Sequence, residues 1–222
     1  MNLKEFKLKV EQEDDWAPGW EAIENAFSKK YDKEPLHYVC TLHASMGGND
    51  FLNGTSIYQN ESQEHLVTFG MSELFVDEEC FGDEYSGWGY EMTAKWSSDK
   101  DQSVYRPFFN HLVHHFARYT FTQSADFSDG HVVICNVANH LNNLGIKAES
   151  NIAAFVSVYD TEIETLNTCY GEVMMLQLIG LTHEELELVR EDMFNAYLIT
   201  EKIRKDNPLL LNDLLRKKSY LL

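Results

Sequence analysis

The chain has 222 residues, a length that fits one or two domains and buries enough apolar surface to fold without staples. Charged residues make up 24% and aromatics 13%, which excludes a disordered chain. Acidic residues outnumber basic ones 36 to 18, and the net charge of −18 argues against a nucleic-acid backbone or an anionic membrane as partner.

The first fifteen residues, MNLKEFKLKVEQEDD, are too charged for a signal peptide. No run approaches the roughly 20 apolar residues of a membrane span, so a cytoplasmic protein is expected. Pro18 to Tyr31 has Trp20, Ile23, Phe27 and Tyr31 at helical spacing, with Pro18 suited to a first position. Leu36–His43 and Thr55–Tyr58 have strand character, and residues 46–50 form a loop. After a polar turn over 60–64, His65–Leu74 resumes as a strand with Val67, Phe69 and Met71 on one face.

The clearest strand is Trp88 to Trp96. Trp88, Tyr90, Met92, Ala94 and Trp96 alternate with Gly89, Glu91, Thr93 and Lys95, the pattern of a half-buried antiparallel strand. Pro107–Tyr119 is a helix, with Leu112, Phe116 and Tyr119 in line. Val132–Val137, Ile152–Val158 and Val173–Ile179 have strand length and composition. Thr182 and Glu185 form a capping box opening one long helix that Asn207-Pro208 ends, with Leu186, Val189, Met193, Ala196 and Tyr197 on one face. Strands and helices do not alternate strictly, and the expectation is a single α+β domain over 1–222 with a mixed, largely antiparallel sheet.

No nucleophile elbow, phosphate loop, dinucleotide fingerprint or HExxH motif is present. The four cysteines, Cys40, Cys80, Cys135 and Cys169, lie far apart among apolar residues and read as reduced, mostly buried thiols. His111 with His114 or His115 has the spacing of two metal ligands on a helix. A third would come from His131 or His140. No carboxylate accompanies them locally, so no metal and no cofactor are expected. An enzyme using this histidine group is the least favoured reading.

The segment Asp77-Glu78-Glu79-Cys80-Phe81-Gly82-Asp83-Glu84 lacks the ligand spacing of a calcium loop. It is acidic and flanked by Phe75, Tyr85 and Trp88, a composition suited to gripping a basic protein partner. The expected contact residues are Phe75, Asp77, Glu78, Glu79, Asp83, Glu84 and Tyr85.

Several segments in order carry a family resemblance: Ala17-Pro18-Gly19-Trp20, Gly54-Thr55-Ser56-Ile57-Tyr58, His65 to Leu74, Ser86-Gly87-Trp88-Gly89-Tyr90-Glu91-Met92-Thr93, Leu176 to Thr182, and Pro208 to Asp213. Over about 16–216 the chain resembles the suppressor-of-fused (SUFU) domain family, with residues 1–15 as an extension and no room for the second domain of the animal proteins. The resemblance implies the N-terminal-domain fold of that family and a binding role without catalysis. Animal members hold zinc-finger transcription factors, partly by pairing a short peptide as a strand. Short bacterial members are often proposed as immunity proteins against polymorphic toxins, and this type is the closer fit in length. The resemblance also places Phe75 and Asp83 where animal members approach their peptide, with Phe75 standing in place of a tyrosine.

Overall fold

The structure is a computed structural model that describes every residue except Thr41, Ala148 and Leu222. Thr41 belongs to the strand expected over 36–43 and lies outside the described residues.

The N-terminal segment, charged as it is, folds into helix α1 (Leu3–Gln12). The Asn2 side chain accepts from the amides of Lys4 and Glu5, and the Glu5 carboxylate takes the Asn2 amide in return. Helix α2 (Pro18–Ser28) starts on its proline, as expected. Four strands follow as an antiparallel meander: β1 (Leu36–Val39), β2 (Gly54–Gln59), β3 (Gln63–Phe69) and β4 (Tyr85–Ser97). Helix α3 (Gln102–Gln123) begins five residues before the expected Pro107, because the Asp101 side chain caps it by accepting from the Ser103 amide.

The second half runs β5 (Val132–Ile134), α4 (Val137–Asn143), β6 (Ile152–Tyr159), β7 (Leu166–Thr168), β8 (Gly171–Thr182), α5 (His183–Glu191) and α6 (Phe194–Asp206). The strand expected over 132–137 stops at Ile134, since the Asn136 side chain caps α4 instead. The Thr182–Glu185 capping box forms as expected. The single long helix expected beyond it is two helices. Asp192 adopts an extended backbone, and its carboxylate accepts from the Phe194 amide, starting α6 afresh. Met193 and Tyr197, expected on the buried face, are exposed as a result, whereas Leu186, Val189 and Ala196 are buried.

All eight strands join one sheet in the order β1-β2-β3-β4-β8-β6-β5, with β7 pairing β8 off that path. Neighbours are antiparallel except β4 and β8, which run parallel at the centre. The class is therefore α+β with a mixed, largely antiparallel sheet.

One sheet face packs against α3 and α4. Tyr90, Met92, Ala94 and Trp96 all point there and are buried, with Trp96 stacked on Phe109 at 4.9 Å. The other face carries two apolar clusters. Ile23 and Phe27 of α2 meet Val67, Phe69 and Met175, while α5 and α6 cover Val156, Ile179 and Leu181. The strand expected to be half-buried is thus covered on both sides, and Glu91, Thr93 and Lys95 are buried too. Partners distant in sequence satisfy them.

Candidate functional site

Beyond Phe69 the chain turns through Gly70–Ser72 and crosses as an open loop to Tyr85, where β4 begins. Three contacts with the β7–β8 turn pin this loop. The Tyr170 hydroxyl accepts from the Asp77 amide at 3.1 Å, the Gly82 amide donates to the Cys169 carbonyl at 2.9 Å, and the Glu172 amide donates to the Glu84 carbonyl at 3.0 Å. Gly171 makes the approach possible. Its φ is +107°, and a Cβ there would sit 2.5 Å from the Asp83 carbonyl oxygen.

Helix α1 adds a fourth anchor. Phe6 is fully buried, with ring centroids 4.8 Å from Phe81, 5.3 Å from Trp16 and 6.0 Å from Tyr170. Lys7 pairs with Glu78 at 2.7 Å. The N-terminal extension thus packs on the acidic loop through Phe6 and Lys7.

On the outer surface, Phe75 is 54% exposed and Tyr85 49%. Glu78, Glu79, Asp83 and Glu84 are exposed, and Asp77 is half-buried. The structure therefore gathers the expected contact residues on one loop. Trp20 stacks on Phe69 at 4.3 Å and reaches towards Phe75, which fixes the base of the patch. Beside Phe75 lies a groove of about 470 Å³ whose lining includes His43, Glu73, Trp88 and Phe121.

The patch is short of positive charge. Burial raises the Glu73 pKa, and Asp77 and Asp83 raise it further. Burial, then Glu73 and Asp77, keeps the Cys80 thiol protonated. Glu84 chiefly raises the Tyr85 phenol. Glu73, Cys80 and Tyr85 all resist ionisation beside these carboxylates, so a cation arriving here meets a site that favours it.

The histidine group lies elsewhere, between α3 and α4. The His140 ring stands 5.4 Å from His111 and 5.4 Å from His115, while His131 stacks on Phe127. Burial leads the lowering of the His114, His115 and His140 pKa values. These imidazoles do not bring three donor atoms together. Among the described residues, only Glu73, Asp77 and Cys80 offer three within 4.8 Å of one another. Cys135 is buried, with its thiol pushed up to about 12, but Cys40, Cys80 and Cys169 are partly exposed, contrary to the sequence expectation.

One constellation escapes sequence reasoning entirely. Tyr31, His65 and Asp160 form a hydrogen-bonded chain. The Tyr31 hydroxyl meets His65 Nδ1 at 2.9 Å, and His65 Nε2 meets Asp160 Oδ2 at 3.0 Å. Gln63 donates to the Tyr31 hydroxyl, so the tyrosine proton goes to Nδ1 and the imidazole donates from Nε2. Its order resembles an acid–base relay. However, the His65 and Asp160 side chains have no exposure and Tyr31 has 3%, so the chain of hydrogen bonds is closed off from solvent.

The model of the suppressor of fused protein family matches residues 48–217. The suppressor of fused homologues of Homo sapiens and Mus musculus are each 28% identical over 198 residues, covering 82% of this chain and 39% of their own length. Among solved structures, the Sufu–Fu complex superposes with a TM-score of 0.76 at 21% identity, covering 92% of this chain and 93% of that one. Drosophila Suppressor of Fused gives 0.75 at 20%, covering 92% and 51%. A SUFU homologue from Neisseria gonorrhoeae gives 0.58 at 12%, covering 92% and 97%. The family match spans most of the sheet, from β2 to the C-terminal segment beyond α6, and these folds agree with it: the chain belongs to the suppressor of fused family.

Proposed function

We propose that this chain is a binding protein without catalytic activity that grips a basic segment of a protein partner on the surface from Phe75 to Tyr85. The observation that carries this reading is the pinned loop itself, which presents exposed aromatic rings among clustered carboxylates at a fixed place. Aromatic anchors supply contact area, and the acids steer a cationic partner inwards. A relative's structure is that of a complex with a protein, Fu, which supports a protein ligand.

The finer reading is neutralisation of a cationic toxin in the cytoplasm, the role of an immunity protein. The net charge of −18 and four unpaired thiols support it. Capture of a peptide as a regulatory scaffold is the other form the same surface can take. Histidine-based catalysis between α3 and α4 is the least favoured reading; there the Asp50 carboxylate acts on His114 against the effect of burial.

The test is association kinetics at two ionic strengths with the protein encoded beside this one. Replacing Asp77, Glu78, Glu79, Asp83 and Glu84 by amides slows association at least tenfold at low salt, and the difference shrinks at high salt. An unchanged on-rate with the fold intact sinks the site.

A further inference from the structure

Glu91 lies on the α2-facing side of β4 and is wholly buried. Five neutral donors converge on its carboxylate. Oε1 accepts from the amides of Gly70 (3.1 Å), Met71 (3.1 Å) and Ser72 (3.0 Å) and from the Ser72 hydroxyl (2.7 Å). Oε2 accepts from the Thr68 hydroxyl at 2.6 Å, and Thr68 Oγ1 in turn accepts from the Met92 amide. Four donors aimed at one oxygen favour the ionised form, because each N–H or O–H dipole points at the negative charge. Three successive amides turned inwards make the concavity that holds an anion.

The turn held in this way places one wall of the groove. The Met71 carbonyl accepts from the Trp88 amide at 2.8 Å, and the Glu73 amide donates to Ser86 Oγ at 3.0 Å. The Leu74 carbonyl then receives the amides of Gly19 and Trp20. Phe75 follows directly.

We propose that Glu91 is the positioning residue of the docking surface: its ionised carboxylate draws in the 70–72 turn and holds Glu73–Phe75 opposite Trp88, and its protonation slackens that wall. This rests on the docking reading given above. Burial pushes the Glu91 pKa up to about 7, against the hydrogen bonds that lower it. Tyr90 is kept protonated by burial, Glu73 responds to its own burial and to Asp77 and Asp83, and Lys95 on the same face is engaged with Asp160 and Glu162. The wall is therefore formed above neutrality and loosened below it.

Amide hydrogen exchange on the whole chain tests this without any partner, so the outcome is independent of whether the docking reading holds. Protection factors at Gly70, Met71 and Ser72 fall at least tenfold between pH 8 and pH 6, while those of Val67 and Thr93 stay. Glu91→Gln lowers the same three at pH 8 and removes their pH dependence. Flat protection in the unaltered chain overturns the proposal, and so does wild-type protection in a folded Glu91→Gln variant. The titration of the unaltered chain decides alone if that variant does not fold.

Discussion

Lys95 Nζ lies 3.1 Å from Asp160 Oδ1, and neither side chain has any exposure. The pair sits on the sheet face between the α2 cluster and the α5–α6 cluster. Asp160 also accepts from Thr93 and from the amides of Glu162 and Ile163. Burial alone would raise its pKa, but His65 and Lys95 win and hold it well below the usual carboxylate range. Asp160 is thus the anion and Lys95 its cation, with His65 a neutral donor.

Removing one partner strands the other charge in the interior. Asp160→Ala is expected to cost about 3–5 kcal/mol, and Lys95→Met a similar amount. The double variant costs clearly less than the sum, because it leaves no orphan charge. Urea unfolding of the three variants measures the coupling, and strict additivity contradicts it.

Burial lowers the His65 pKa against the pull of Asp160. The unfolded imidazole takes a proton near 6.5 while the folded one resists, so the unfolded state binds more protons as pH falls. Stability supplied by this site is present above that pH and lost below it. His65→Gln should flatten the fall in unfolding free energy from pH 7.5 to pH 5.5, read from urea midpoints. An unchanged slope counts against a neutral His65.

Phe6 has no exposure and touches three aromatic rings. Phe6→Ala is expected to cost about 3 kcal/mol through lost burial and the cavity left behind. It also frees the acidic loop from α1, so limited proteolysis should cut first within 77–85. Wild-type resistance in the variant would show that the β7–β8 contacts suffice.

Much of the sheet is legible in the sequence because period-two alternation at Trp88–Trp96 marks a packed face directly. What that pattern hides is the opposite face. Glu91, Thr93 and Lys95 look solvated, since their partners Ser72 and Asp160 lie remote in the chain and only tertiary folding brings them near. The break at Asp192 is hidden for another reason: apolar spacing continues across it, and a local side-chain cap overrides the periodicity. The acidic loop is visible from composition, but its rigidity is not. Phe6, Tyr170 and Gly171 hold it from distant segments.

The parallel pairing of β4 with β8 also governs how the chain assembles. Tyr90 meets Met174 only after about eighty further residues have been made. Until then β4 is an open edge, rich in aromatic and β-branched residues, beside a meander that is already able to form. Closing so long a loop is entropically slow, which places the rate-limiting step at the middle of the sheet. During synthesis, that unpaired edge is where chains are most prone to join one another instead.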